Sequence, residues 1–156
     1  MNEENSKAQK AKALFKSGYN CCQAVVTAFA DEEWFKETGL TAQTAVKIAS
    51  SFGGGMGRLR EVCGAVSGMF FIAGLKNGYE PESDNDGIEK KNHYELIQKM
   101  AKEFIEKNGS IVCKELLGLP GAQSPTPEKR THEYYKKRPC ADLVYMAAEI
   151  AENNLD

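Results

Sequence analysis

Several common signatures are missing from this chain, and each absence closes off a class of function. The charges nearly cancel, with 20 Lys and Arg against 22 Asp and Glu, a formal net charge of −2. That balance gives no global electrostatic reason to bind nucleic acid. Long hydrophobic runs are also missing. The longest uncharged apolar stretch runs from Val62 to Leu75, short of the roughly 20 residues a membrane span needs, and it suits a buried core helix. The first residues, with Glu3, Glu4, Lys7 and Lys10, carry no apolar signal-peptide core. A cytoplasmic location is therefore expected. Only two histidines occur, His93 and His132. No Ser-His-Asp, His-Glu-x-x-His or EF-hand pattern is present. There is no Cys-x-x-Cys, which excludes a thioredoxin-type site, and no Lys-Ser/Thr ending to the Gly-rich loop, which argues against a nucleotide P-loop. No segment shows sustained strand alternation, internal repetition or low complexity.

What remains is helical periodicity over one domain, expected to span residues 1–156. Ala8, Ala11, Leu14 and Phe15 stripe a first helix. Cys22, Val25, Val26 and Phe29 stripe a second, and Thr41 caps a third with Ala45, Ala49 and Phe52 inward. The segment from Glu61 to Leu75 is apolar nearly all round and should be central. An amphipathic helix over 87–107, a short one holding Cys113, Leu116 and Leu117, and a last one from Pro139 complete the set. The expected fold is all-α, an irregular bundle of six or seven helices. Leu119 to Arg138 reads as a charged, solvated loop. Its Lys129, Arg130, His132, Tyr134, Tyr135, Lys136, Lys137 and Arg138 offer, at most, a contact for an acidic partner.

The chain has five cysteines, and all fall at or near a predicted helix start. Asn20 as N-cap puts Cys21 first and Cys22 second. Ser110 as N-cap puts Cys113 third, and Pro139 at the first position puts Cys140 next. Cys63 follows Gly53-Gly54-Gly55-Met56-Gly57. Helix starts carry unpaired N–H groups and partial positive charge, which favour thiolate over thiol. By spacing, Cys21, Cys63, Cys113 and Cys140 each top an inward stripe, so their sulfurs are expected to converge in one pocket. Cys22 aligns with the packing face and is assigned to the core.

The glycine loop can take left-handed backbone and bring N–H groups to an anion. Arg58 and Arg60 would add charge beside Cys63, making Cys63 the candidate attacking thiolate. Gly64 and Gly68 sit four apart in a helix, where glycine costs about 1 kcal/mol against alanine. Close approach of another helix, or of a cofactor, would compensate. Gly64, Gly68, Arg58 and Arg60 are therefore the candidate cofactor-contacting residues.

Taken together, Cys21 after Gly18-Tyr19-Asn20, Phe52-Gly53-Gly54-Gly55-Met56-Gly57, Cys63-Gly64-Ala65-Val66-Ser67-Gly68, Cys113 and Cys140 resemble a known family. It is the redox-active family named for its pattern of a Cys, a Gly-Cys-Ala-x-x-Gly motif and two further Cys. The family name writes Gly before Cys, whereas this chain reads Cys63 before Gly64. The resemblance implies a redox role for Cys21, Cys63, Cys113 and Cys140, with Cys22 an addition.

Three readings stand. The first is a thiol–disulfide or electron-transfer protein, a possible thiol–disulfide oxidoreductase serving a redox partner protein, alone or as an oligomer. Four cysteines allow three pairings, and order along the chain favours Cys21 with Cys63 and Cys113 with Cys140. The second is a metal site in which Cys21, Cys63, Cys113 and Cys140 together ligate zinc or an iron–sulfur cluster, although the wide spacing is unusual for one. The third is a non-catalytic helical interaction module whose cysteines are core.

Overall fold

The computed structural model describes residues 6–155; Glu3 and Glu4 lie outside them. The described residues are all-α. Helices of eight residues or more are α1 (Lys7–Lys16), α2 (Cys21–Ala28), α4 (Ala42–Ala49), α6 (Gly64–Asn77), α7 (Ile88–Asn108) and α10 (Cys140–Asn154). Shorter ones are α3 (Glu33–Glu37), α5 (Gly53–Met56), α8 (Cys113–Leu117) and α9 (His132–Lys137). The longer helices are those that periodicity indicates. Of the short ones, only α8 is expected; α3, α5 and α9 are not, α5 being a turn of the glycine loop with left-handed backbone at Gly54 and Gly55, and α9 replaces part of the expected solvated loop.

Side chains at the helix starts explain several boundaries. Ser6 accepts from the Gln9 N–H to open α1. Asn20 and Gln23 form a reciprocal capping box at α2, and Thr41 accepts from Thr44 N–H at α4. α7 stops at Gly109, which takes a left-handed φ of 88° that suits glycine.

No helix among the described residues is long and apolar enough to cross a membrane. α6 instead fills the centre, with Ala65, Val66, Met69, Ile72 and Ala73 wholly buried. It packs on α2, α10 and α7, while α1 packs on α2 and α10. Gly68 permits close packing of α6 on α2, since a Cβ there would fall 2.8 Å from Val25 Cβ. Gly68 is thus a helix-packing residue and does not line the cysteine cavity described below. Phe15, Phe35, Phe104 and Met100 complete the core, each contributing about 1.5–3 kcal/mol by leaving water.

Two expected boundaries shift. α6 starts at Gly64 rather than Glu61, because residues 60–63 are engaged elsewhere. Val62 makes an isolated antiparallel bridge with Val112. Cys63 N–H donates to Ile111 O at 2.8 Å, and Cys113 N–H donates to Glu61 O at 2.6 Å. The same bridge removes Ser110 as a helix cap. α8 begins at Cys113 itself, after Val112, and the Ser110 hydroxyl accepts from the Val112 N–H at 2.9 Å instead.

Candidate functional site

The Val62–Val112 bridge lays two cysteines side by side. Cys63 becomes the N-cap residue of α6, and Cys113 the first residue of α8. α2 and α10 begin with Cys21 and Cys140. These four helix starts surround one cavity of about 70 Å³, lined by Cys21, Cys63, Cys113 and Cys140. All four are free thiols. Cys22 does not line the cavity. It is wholly buried among core side chains, as its place on the apolar stripe implies.

Glycine makes the cavity possible. A Cβ on Gly64 would stand 2.4 Å from the Sγ of Cys21 and 2.8 Å from the carbonyl oxygen of Phe52. Any side chain there would push the sulfur away. The order Cys63–Gly64 therefore matters in this chain, because a cysteine at position 64 would collide with Cys21. Gly55, with a left-handed φ of 65°, plays the same part for Cys113, whose Cβ would lie 2.6 Å from an added Cβ.

Burial dominates the acid–base character of the thiols. It pushes Cys63 well above the ordinary thiol range, and the neighbouring Cys21 adds to the shift. The Val66 and Ala65 amides at the start of α6 pull the other way, although neither closes a capping hydrogen bond. Burial pushes Cys140 up to about 12, with Cys21 and Cys113 adding and Arg138 and Arg60 opposing. Burial also raises Cys21, against the N–H groups of Gly54, Cys21 and Cys22. The expected acidic Cys63 is thus corrected. It lies 5% exposed inside the pocket, and desolvation outweighs the helix terminus.

The arginines also differ from expectation. Arg58 does not line the cavity. Its Nε donates to Ser124 O at 2.6 Å, tying the glycine loop to the segment after α8. Arg60 does line it, but its Nη1 donates to Cys113 Sγ at 3.5 Å rather than serving Cys63. Met56, Arg58 and Arg60 all hold positive φ, at 68°, 70° and 61°, so this loop keeps ordinary residues in a backbone that L side chains rarely adopt.

Two further lining residues, Arg130 and Tyr134, come from the segment expected to be a solvated loop. Arg130 donates to the carbonyls of Phe15 and Tyr19 at 2.5 and 2.9 Å. Its guanidinium carbon lies 4.1 Å from the Phe15 ring centroid. Tyr134 is half-buried, and burial raises its hydroxyl above the ordinary range, with Cys140 adding. The available signal was Thr131 followed by aromatics within a charged run, an N-cap before a one-sided helix; the Thr131 hydroxyl does accept from Tyr134 N–H. His132 is exposed. His93 is half-buried, with a buried Nδ1 that has no partner among the described residues.

Among the described residues, no three His, Cys, Asp or Glu side chains are grouped to share a metal ion. Zinc or an iron–sulfur cluster needs its thiolates gathered on one point, and the four cysteines are not grouped in that way.

An all-α chain whose helix starts gather four thiols into one cavity defines a cysteine-centred helical protein. The chain belongs to the family described as "Putative redox-active protein (C_GCAxxG_C_C)", whose model matches residues 19–154. No curated protein and no solved structure matches the chain.

Proposed function

We propose that Cys21, Cys63, Cys113 and Cys140 form a dithiol redox centre, and that the chain acts as one helical domain built around it. The observation that carries this reading is the single cavity lined by these four sulfurs while the fifth, Cys22, is set apart in the core. In the oxidising half-cycle two thiols give up two electrons and two protons to an acceptor, and their sulfurs join as a disulfide. A thiol reductant or redox partner protein reverses the step by attack on that disulfide. Cys21 and Cys113 are both central to the set. The charge of Cys113 would be felt at Cys21, Cys63 and Cys140, and that of Cys21 at Cys63 and Cys140.

Burial weakens Cys21, Cys63 and Cys140 as acids and supports a protonated resting state. Protonated thiols are poor nucleophiles, so the reduced centre waits for an acceptor that enters the cavity. A reducing compartment such as the cytoplasm would return the centre to thiols.

The test is a redox titration followed by alkylation and mass mapping of each cysteine. Oxidation with diamide should remove thiols in pairs from Cys21, Cys63, Cys113 and Cys140. Cys22 should stay reduced and label only after unfolding. If the four remain free throughout, or if Cys22 is the one that pairs, the reading fails.

A further inference from the structure

Arg60 is only 6% exposed, yet among the described residues no carboxylate pairs with it. Its Nε donates to the neutral amide oxygen of Gln123 at 2.9 Å, and its Nη1 to Cys113 Sγ at 3.5 Å. A guanidinium taken out of water without a counter-ion is costly, and that cost points to an anion that belongs beside it. The rest of the lining agrees. Arg130 brings a second guanidinium, held by two neutral backbone carbonyls. No Asp or Glu lines the cavity. The long helices α6 and α10 begin here with no side-chain cap, which puts the positive ends of two helices at the cavity.

The volume narrows the class. A cavity of about 70 Å³ holds on the order of five water-sized groups. That is the size of a small inorganic oxyanion and far below a nucleotide or a peptide. We propose that the cavity binds a small inorganic oxyanion as the electron acceptor of its cysteines. The binding half stands on Arg60, Arg130 and the helix starts; the electron-transfer half rests on the dithiol reading above.

With arsenate as the example, the step balances. One cysteine sulfur attacks arsenic and a sulfur–arsenic bond forms. A hydroxyl of the oxyanion leaves as water with the proton of that thiol. A second cysteine then attacks the first sulfur. The sulfur–arsenic bond breaks with its electron pair going to arsenic, the second thiol's proton passes to the arsenic oxyanion, and a disulfide forms. The products are arsenite, water and one disulfide.

The experiment uses the full chain in its reduced form with two probes, phosphate as the redox-inert isostere and arsenate as the acceptor. Phosphate should bind by calorimetry and should slow alkylation of Cys21, Cys63, Cys113 and Cys140 but not the labelling of unfolded protein. Arg60→Gln should weaken phosphate binding by about tenfold or more, the loss of a charge-assisted contact. The wild-type protection result stands by itself if that variant does not fold. Arsenate should yield one disulfide per arsenite. Absence of both phosphate binding and protection overturns the inference, while the dithiol reading survives if diamide still forms the disulfides. Phosphate binding without arsenite formation overturns the acceptor assignment.

Discussion

Cys21 and Gly64 face each other across the junction of α2 and α6, so closely that a Cβ on Gly64 would lie 2.4 Å from the Cys21 sulfur. The contact ties helix packing to cysteine chemistry. The glycine that lets α6 approach α2 is also the residue that leaves space for the thiol.

Gly64→Ala should therefore damage the fold and the site together. The added methyl meets the Cys21 sulfur on one side and the Phe52 carbonyl, at 2.8 Å, on the other. Overpacking of this kind costs about 1–3 kcal/mol. Chemical denaturation should show that loss. Cysteine mapping should show Cys21 labelled faster, or absent from the disulfides formed by diamide. A variant of wild-type stability with an unchanged labelling pattern would mean the junction relaxes freely.

Cys22→Ala should separate packing from chemistry. Cys22 is wholly buried and absent from the cavity lining. Removing its sulfur from a packed core should cost about 1 kcal/mol. The number of thiols lost on oxidation should not change. A drop in that number would place Cys22 in the redox centre.

Cap chemistry and periodicity made much of the fold legible. Asn20 and Thr41 announce α2 and α4 with local hydrogen bonds that no distant contact disturbs. The apolar stretch around Met69 and Ile72 could only be central. The start of α8 was not legible from Ser110, because the pairing of Val62 with Val112 is long-range and decides which backbone groups remain for a helix. The raised pKa of Cys63 is not legible in the sequence for a related reason. A helix start can be seen locally, whereas burial depends on what packs over it, and here burial wins. Arg58 and Arg60 are near neighbours in sequence, yet one reaches Ser124 and the other Cys113. Both residues hold left-handed backbone, which their spacing in sequence does not reveal.

Arg130 should prove to be the clasp that holds the segment before α9 over the cavity. It donates to two carbonyls, Phe15 at the end of α1 and Tyr19 in the α1–α2 connection, and stacks on the Phe15 ring. Lysine keeps the charge but cannot span both carbonyls or stack a flat guanidinium. Arg130→Lys should cost about 1–2 kcal/mol of stability, read from the denaturation midpoint. It should also speed limited proteolysis between residues 119 and 131. Unchanged cleavage there would show that Tyr134 and Tyr135 hold the segment without it.

The buried thiols should make the reduced protein sensitive to alkali. Burial pushes Cys140 up to about 12 and raises Cys21 and Cys63 as well, whereas an unfolded thiol titrates near 8.5. Between those values the unfolded chain releases protons that the folded chain keeps. Linkage then lowers stability as pH rises through that window, and the contribution is whole only below the unfolded value. For Cys140 the loss should be on the order of 1–2 kcal/mol at about pH 10. Urea midpoints at neutral pH and at about pH 10 would measure it, compared with Cys140→Ser, which has no ionisable group in that range. The wild type should lose more stability than the variant across the interval. Equal losses would mean that the Cys140 sulfur already meets water. They would also remove the reason for a protonated resting state, because a thiol in contact with water would ionise near its ordinary value and react before any ligand entered the cavity.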